Sequence, residues 1–210
     1  MGTKITVKLT LLSLGLLFLM TSCPDSCLDI SYNFEVTSYF TPEIDSISLG
    51  DTLYLISEFP TDLEDVLTSS LIDYSNAKTI GGILGVSELI PNDSKTPTGA
   101  VSQFKYIAIN GKIFNDKTVP SPEVFQQLSY EETSSTYRLK IGLIPTKKGV
   151  YFLTNGDALS RGRKESNCES ASFSMQVSNQ DQNLYLLEDF LGLPADENNQ
   201  RLGYCFRVVD

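Results

Sequence analysis

The sequence contains no histidine and no tryptophan. Without histidine the chain cannot build a Ser-His-Asp triad, a Cys-His nucleophile pair or a metal site with imidazole ligands. The segment "GGILG", residues 81–85, has neither the spacing of a dinucleotide-binding loop nor the Lys-Ser of a P-loop. A GxSxG nucleophile elbow is also missing. These absences remove the best-known motifs of hydrolases and of nucleotide-binding enzymes.

Positive charge is sparse. The chain has 16 Lys and Arg against 26 Asp and Glu, a formal net charge of −10. An acidic protein repels the phosphates of nucleic acids and anionic lipid surfaces, so we predict no nucleic-acid partner and no membrane binding through a basic patch. The apolar fraction of 41% argues against intrinsic disorder and provides enough side chains for a sizeable core.

Long hydrophobic runs are also few, and the clearest occupies residues 9–20, after Lys4 and Lys8. A helix of this length rises about 18 Å, well short of the roughly 30 Å of a bilayer core. A positive start followed by a short apolar run is typical of a signal peptide rather than of a permanent membrane span.

The end of this run resembles a bacterial lipoprotein signal. The matching residues are Met20, Thr21, Ser22 and Cys23. The resemblance implies that signal peptidase II removes residues 1–22 and that Cys23 carries a thioether-linked diacylglycerol and an amide-linked acyl chain. Residues 23–30 then form a lipidated tether, and several acyl chains give stable membrane anchoring. An ordinary signal peptide cut near Ser22, or a buried Cys23, remain the alternatives.

The chain has four cysteines and no pair of Cys-x-x-Cys motifs, so a thiolate zinc site is not expected. Export implies an oxidising compartment in which disulfides form. Cys168 and Cys205 both lie in strand-like segments, and we predict that they pair. Cys27, within the tether, is then unpaired; the alternative is a bridge from Cys27 to one of the others, which would fix the tether to the domain.

Short alternating segments rich in β-branched and aromatic residues predict that residues 31–210 form one antiparallel β-sandwich domain with a few short helices. The expected strands are at 30–40, 46–57, 136–145, 149–155, 171–177 and 202–209, with a hairpin at 101–114 turning at Asn110-Gly111. The expected helices are at 61–71, at 121–128 and after residue 182.

A wider resemblance rests on "DSISLGDTLYLIS", "KKGVYFL", the cysteine at position 168 and the terminal "YCFRV". These segments resemble an uncharacterised group of Bacteroidetes lipoproteins, which brings no established activity with it. Pro24 rather than aspartate follows Cys23, which leaves the outer membrane open as the destination. The resemblance implies a protein of the cell envelope on either the periplasmic or the surface face.

Several polar groups are candidates for chemistry, each with a simpler structural interpretation. Carboxylates cluster at 62–65, 131–132 and 196–197, and paired acids can hydrolyse glycosides, but these stretches are typical of solvated turns. "NQDQN", residues 179–183, resembles a calcium loop without its glycine, and a turn is the better interpretation. The basic loop 160–167 could hold an anionic group.

Ser46 and Thr52 fit the Asp-Ser/Thr-apolar pattern of O-glycosylation in Bacteroidetes. Ten tyrosines are present, and exposed tyrosines can stack on sugars or bind a protein partner.

We therefore expect a non-enzymatic, lipid-anchored envelope protein with a binding or scaffolding role and no cofactor, whose partner is an envelope protein or a glycan. The alternative is a glycan-binding accessory lipoprotein that uses surface tyrosines. A cleft with two facing acids would instead favour a hydrolase.

Overall fold

The computed structural model describes residues 30–90, 96–114, 121–164, 166, 168–180, 182–192 and 203–210. Cys23, the predicted lipidation residue, and residues 23–29 of the predicted tether lie outside these ranges, whereas Ile30, the last residue of that predicted tether, already belongs to the first strand. The strands of the described residues are β1 (Ile30–Thr41), β2 (Ser46–Ser48), β3 (Leu53–Pro60), β4 (Asp62–Asp65), β5 (Ser70–Asp73), β6 (Ile80–Glu88), β7 (Thr98–Gly99), β8 (Phe104–Asn110), β9 (Lys112–Phe114), β10 (Phe125–Ser129), β11 (Glu131–Thr133), β12 (Thr136–Pro145), β13 (Gly149–Asn155), β14 (Ala158–Ser160), β15 (Glu169–Val177) and β16 (Tyr204–Val209). A single 3-10 turn (Val101–Gln103) and one helix, α1 (Tyr185–Leu191), complete the described elements.

The chain folds as a β-sandwich of two layers, which confirms the predicted fold class. The first layer has the order β15-β14-β6-β13-β16-β2, and the second contains β11, β12 and β3 with β8 beside β12. β1 belongs to both layers. Its first nine residues pair in parallel with β15, and its last three pair antiparallel with β3. Most pairs are antiparallel, as predicted, but β1 with β15 and β16 with β2 are parallel.

The main core lies between the layers and follows from the alternation of the strands. On β3, Leu53 and Leu55 are fully buried, and on β12 Leu139, Ile141 and Leu143 point to the same side. They pack against first-layer side chains that include Leu84, Val86, Tyr151, Leu153 and Phe206. Alternation with a period of two places every second residue on one face of a strand, so the sequence pattern alone predicts strands in these segments.

A second core is mainly aromatic and lies under the start of β1. Its rings are Phe34, Phe59, Tyr74, Tyr137 and Phe173. The Phe173 ring centroid lies 5.3 Å from that of Phe34, 5.7 Å from Phe59 and 5.9 Å from Tyr74. Tilted and edge-on ring pairs at these separations are favourable beyond their buried area.

The helix predicted at 61–71 is wrong, because the segment forms the β4–β5 hairpin. Of the apolar residues at helical spacing only Leu63 is buried. The Asp65 carboxylate accepts hydrogen bonds from the Asn33 and Thr68 N–H groups at 2.8 and 3.0 Å. These bonds fix the turn against β1 and replace the capping that a helix would have used.

The helix predicted at 121–128 is also wrong. Ser121 has a φ of +56° and makes a single turn, after which the chain enters β10. Gln126 and Leu128 are buried on β10, which pairs with β6 and β9. Sheet pairing on both sides of β10 outweighs the local helical preference.

The hairpin predicted at 101–114 is only half right. The turn is at Asn110-Gly111, with a φ of +83° at Gly111, but β8 pairs with β12 while β9 pairs with β10. The turn therefore moves the chain from the second layer to the first instead of pairing its two flanking strands. The helix predicted after residue 182 is confirmed as α1, which ends at Gly192 with a φ of +66°.

A candidate ligand cleft on the first layer

A candidate binding site lies on the outer face of the first layer, where β6 pairs with β10 on one side and with β14 on the other. Gly81 of β6 lies opposite Ser129 of β10 and opposite Leu159 of β14. A Cβ placed on Gly81 would meet nothing closer than 3.8 Å. The missing side chain therefore leaves an open floor between the flanking strands.

Apolar side chains form the walls of this cleft, whose volume is about 750 Å³. Leu159 and Phe114 line it with 63% and 41% of their surface exposed, and Ile83 is half-buried beside them. A volume of this size is in the range of small-molecule sites, which are typically apolar with a few polar groups. Exposed leucine and phenylalanine on one concave surface make the cleft a candidate for a ligand or partner site.

Two cationic residues lie at the rim, Lys78 before β6 and Arg161 after β14. The Lys78 N–H donates to the Gly162 carbonyl at 2.9 Å, which joins the two segments that carry these cations. Asp157 also lines the cleft, and its Oδ1 accepts the Met175 N–H at 3.0 Å.

The basic loop 160–167 divides its arginines between two tasks. Arg161 lines the cleft, whereas the guanidinium of Arg163 donates to both oxygens of Glu169 at 2.6 and 2.8 Å and to the Asp73 carbonyl at 2.9 Å. The guanidinium lowers the pKa of Glu169, and the carboxylate raises the pKa of Arg163. Arg163 is therefore a structural residue, and Arg161 is the one placed to meet a ligand.

The carboxylate clusters singled out in the sequence do not line the cleft. Hydrogen bonds from Asn33 and Thr68 lower the pKa of Asp65, so it is a structural carboxylate. Glu131 accepts from the Asn110 amide, and Glu132 accepts the Asn76 N–H. Residues 196–197 lie outside the described part of the chain. Asp157 is the one carboxylate among the described residues of the cleft, so two facing acids are not found there.

The described residues of the segment 179–183 form a structural turn, as the simpler interpretation predicted, and Asp181 lies outside the described ranges. The Asn179 amide donates to the Phe40 carbonyl at 2.7 Å and accepts the Phe40 N–H at 3.1 Å. The Asn183 amide donates to the Cys205 carbonyl at 2.9 Å. Within the described ranges, groups of three or more Asp, Glu or Cys side chains arranged to hold a metal are not found.

The tyrosines mostly serve the core. Tyr74, Tyr137, Tyr151 and Tyr204 are buried, and four more are half-buried. Tyr39 on β1 and Tyr185 on α1 are the two in the exposed class, at 40% and 42%. The tyrosine set therefore offers little surface for stacking on sugars.

The predicted pairing of Cys168 with Cys205 is not formed. Cys205 is a free thiol, fully buried in the small cluster that Leu186 and Leu187 of α1 make with β13 and β16. Burial raises the pKa of this thiol to about 12. Cys168, directly before β15, is half-buried and disulfide-bonded. The prediction was wrong because Cys205 packs as a free thiol against the helix and β13 and is not bonded to Cys168.

The two residues with the O-glycosylation pattern lie close to the turn between β2 and β3. Ser46 on β2 is half-buried, and its hydroxyl donates to the Asp45 carboxylate at 3.1 Å. Thr52, before β3, is also half-buried. Their modification stays a prediction.

The cleft itself was not predicted from the sequence. Its residues come from four separate parts of the chain, and the sequence signal that could have pointed to it is the pair of consecutive glycines, Gly81 and Gly82, at the start of β6. In the part of the chain that the structure describes, no helix is long and apolar enough to cross a bilayer.

No protein-family model matches the chain, and no curated protein matches it. Among solved structures, the reeler domain of human F-spondin aligns over 88% of this chain and 99% of its own length, with 12% identity and a TM-score of 0.34. PbICP-C, from its complex with falcipain-2, covers 71% of this chain and 92% of its own, with 11% identity and a TM-score of 0.24. The CupB6 tip adhesin of Pseudomonas aeruginosa covers 71% and 42%, with 11% identity and a TM-score of 0.18. At these TM-scores the three structures carry no argument about the function of this chain, which must be argued from its own cleft.

Proposed function

We propose that this chain is a non-enzymatic binding protein of the cell envelope, anchored by acyl chains on Cys23, whose cleft takes a single-chain amphipathic molecule with an anionic head group. The observation that carries the proposal is the composition of the cleft. Its floor at Gly81 is open, its walls are Leu159, Phe114 and Ile83, and its rim holds cations.

The apolar walls account for the body of the ligand. Burying an alkyl chain against them removes apolar surface from water on both sides, at about 25 cal/mol per Å². Leu159 exposes 63% of its surface and Phe114 exposes 41% in the free protein. A ligand in the cleft would therefore remove apolar surface from water that the fold itself leaves exposed.

The rim accounts for the head group. Lys78 and Arg161 stand out because the protein as a whole carries a net charge of −10. A carboxylate or phosphate at this rim meets the guanidinium of Arg161, which binds planar oxyanions through paired hydrogen bonds. The Asp157 carboxylate, which accepts the Met175 N–H, lies in the same cleft. Its negative charge repels anions, so a head group with a low negative charge is preferred.

The binding test uses a dansyl-labelled undecanoic acid, whose fluorescence rises in an apolar site. We expect Gly81→Leu to weaken binding by about tenfold or more, because the new side chain fills the floor while its Cβ meets nothing closer than 3.8 Å. Leu159→Ser is expected to act in the same direction. Leu71→Ser is the matched control, since Leu71 is 73% exposed on β5 and does not line the cleft.

The head-group test compares the labelled acid with its methyl ester. Arg161→Gln should weaken binding of the acid and leave the ester unchanged, because only the acid carries the charge that Arg161 meets. Equal affinity of the wild type and Gly81→Leu for the acid would contradict the proposed site. Glycan binding that survives Gly81→Leu and is lost in Tyr39→Ala would support the glycan-binding alternative instead.

The anchor is tested separately by mass spectrometry of the processed amino terminus and by fractionation. We expect an acylated peptide beginning at Cys23 and expect Cys23→Ser to move the protein from the membrane pellet to the soluble fraction. An unmodified Cys23 thiol, or a Cys23→Ser variant that still pellets with membranes, would refute the anchor while leaving the cleft untouched.

A further inference from the structure

The partner of Cys168 can be identified from the cysteines of the chain and the register of β1. Cys168 is disulfide-bonded and Cys205 is a free thiol. Of the four cysteines in the sequence, this leaves Cys23 and Cys27.

The pairing of β1 with β15 places Ile30, the first described residue of β1, beside Cys168. The parallel ladder begins with Ile30 opposite Glu169, and the Ile30 N–H donates to the Cys168 carbonyl at 2.9 Å. Cys27 precedes Ile30 by three residues, a stretch that spans at most about 11 Å when extended. A disulfide needs Cα atoms about 4.4–6.8 Å apart. The stretch between Cys27 and Ile30 is short enough to keep Cys27 close to Cys168, and a slight bend in it would bring the two Cα atoms to this separation.

We propose that Cys27 and Cys168 form a disulfide that joins the lipidated tether to the start of β15. The choice of Cys27 over Cys23 rests on the proposed function, because a Cys23 sulfur in a thioether to diacylglycerol cannot also form a disulfide. The bond forms by thiol–disulfide exchange. The two thiols lose two protons and two electrons, and an oxidant disulfide of the envelope is reduced to its dithiol.

With this disulfide, residues 23–27 become a short attachment between the lipid and the domain, which we call the mount. Four residues then separate Cys23 from the disulfide, and a stretch of this length spans at most about 14 Å. The end of the sandwich where β1 and β15 begin is therefore held close to the membrane surface.

The cleft lies near the same end of the sandwich. Leu159 is opposite Ser172, four residues after Cys168 along β15, or about 13 Å at the rise of a strand. Arg161 follows Leu159 toward the start of β15. The mount thus places the cationic rim within reach of amphipathic molecules that leave the bilayer.

The test is a thiol count on the full chain, purified from its native envelope in a nonionic detergent and alkylated in denaturant without a reductant. We expect Cys205 to be the one alkylated cysteine, and we expect the peptides of Cys27 and Cys168 to run as one linked species that separates on reduction. A Cys168–Cys205 link, or an alkylated Cys168, would overturn the proposal. A Cys23–Cys168 link would overturn both the mount and the lipid anchor, whereas a free Cys168 beside an acylated Cys23 would overturn only the mount.

Single variants give the matched controls. Cys27→Ser should add Cys168 to the alkylated residues, and Cys168→Ser should add Cys27, one extra thiol in each case. Cys205→Ser should leave the linked species unchanged and reduce the count to zero. If Cys27→Ser leaves Cys168 blocked, the pairing is wrong. Because the linked peptide is measured first in the wild-type protein, a variant that fails to fold does not prevent the decision.

Discussion

Replacing Asn179 by alanine tests how β1 crosses from one layer of the sandwich to the other. The ladder between β1 and β15 ends where the Ser178 N–H donates to the Ser38 carbonyl at 2.8 Å. Beyond this point the side-chain amide of Asn179 makes the hydrogen bonds that a neighbouring strand would otherwise make. It bonds the N–H and the carbonyl of Phe40, a residue with no exposed surface.

Asn179→Ala removes both partners at once. A buried polar backbone group left without a hydrogen bond costs about 1–3 kcal/mol, so two such groups predict a loss of about 2–6 kcal/mol of unfolding free energy. For a domain of this size the same loss lowers the melting temperature by roughly 4–24 °C. The measurement is urea unfolding of a chain without residues 1–22, and we expect a lower midpoint at an unchanged m-value.

Two further variants separate the amide from its neighbourhood. Asn179→Asp keeps an acceptor for the Phe40 N–H but loses the donor to the Phe40 carbonyl, and it places a charge beside Glu43, which the amide contacts at 3.4 Å. It should therefore be destabilised at pH 7 and recover part of the loss in acid, where a protonated carboxyl can donate. Gln182→Ala, in the same turn, should change stability by less than about 0.5 kcal/mol. An Asn179→Ala variant within that range of the wild type would refute the reasoning.

Three other predictions follow from single buried groups. Tyr137→Phe should cost about 1–2 kcal/mol in urea unfolding, since the buried hydroxyl donates to the Tyr74 carbonyl at 2.7 Å; unchanged stability would show that this bond contributes nothing. The lowered pKa of Asp65 means that its contribution is complete above the unfolded value near 3.8 and is lost as the pH falls through the folded value. Asp65→Asn should thus be less stable than the wild type at pH 7 and should lose less stability between pH 5 and pH 2; parallel pH profiles would contradict this. Cys205, whose pKa burial raises to about 12, should resist iodoacetamide at pH 8 in the native protein and react in denaturant, whereas rapid native labelling would place the thiol at the surface.

The crossing of β1 explains why local patterns misjudged its neighbours. The aromatic core under β1 needs a cover, and the β4–β5 hairpin supplies it by placing Leu63 inward. The spacing of Thr61 and Glu64 is that of a helix cap, but the N–H groups of Asn33 and Thr68 bind Asp65 instead. Long-range hydrogen bonds to a buried carboxylate outweigh a local preference worth a few tenths of a kcal/mol per residue.

The sequence by itself determined the features that depend on residue type and near neighbours. Strand periodicity follows from backbone geometry, so β12 and β13 could be recognised from alternation alone. The turn at Gly111 follows from the freedom of glycine at positive φ. The absence of histidine excludes imidazole chemistry whatever the fold.

Only the tertiary structure decided which strands meet and what they bring together. The strands on either side of Gly111 pair with different layers, Cys168 lies beside Ile30 at the start of β1, and Cys205 is a free thiol. The cleft unites Gly81, Leu159 and segments far from both, through pairings that cross most of the chain. Such contacts depend on the burial and hydrogen bonding of the whole sandwich. Patterns among neighbouring residues in the sequence therefore do not predict them.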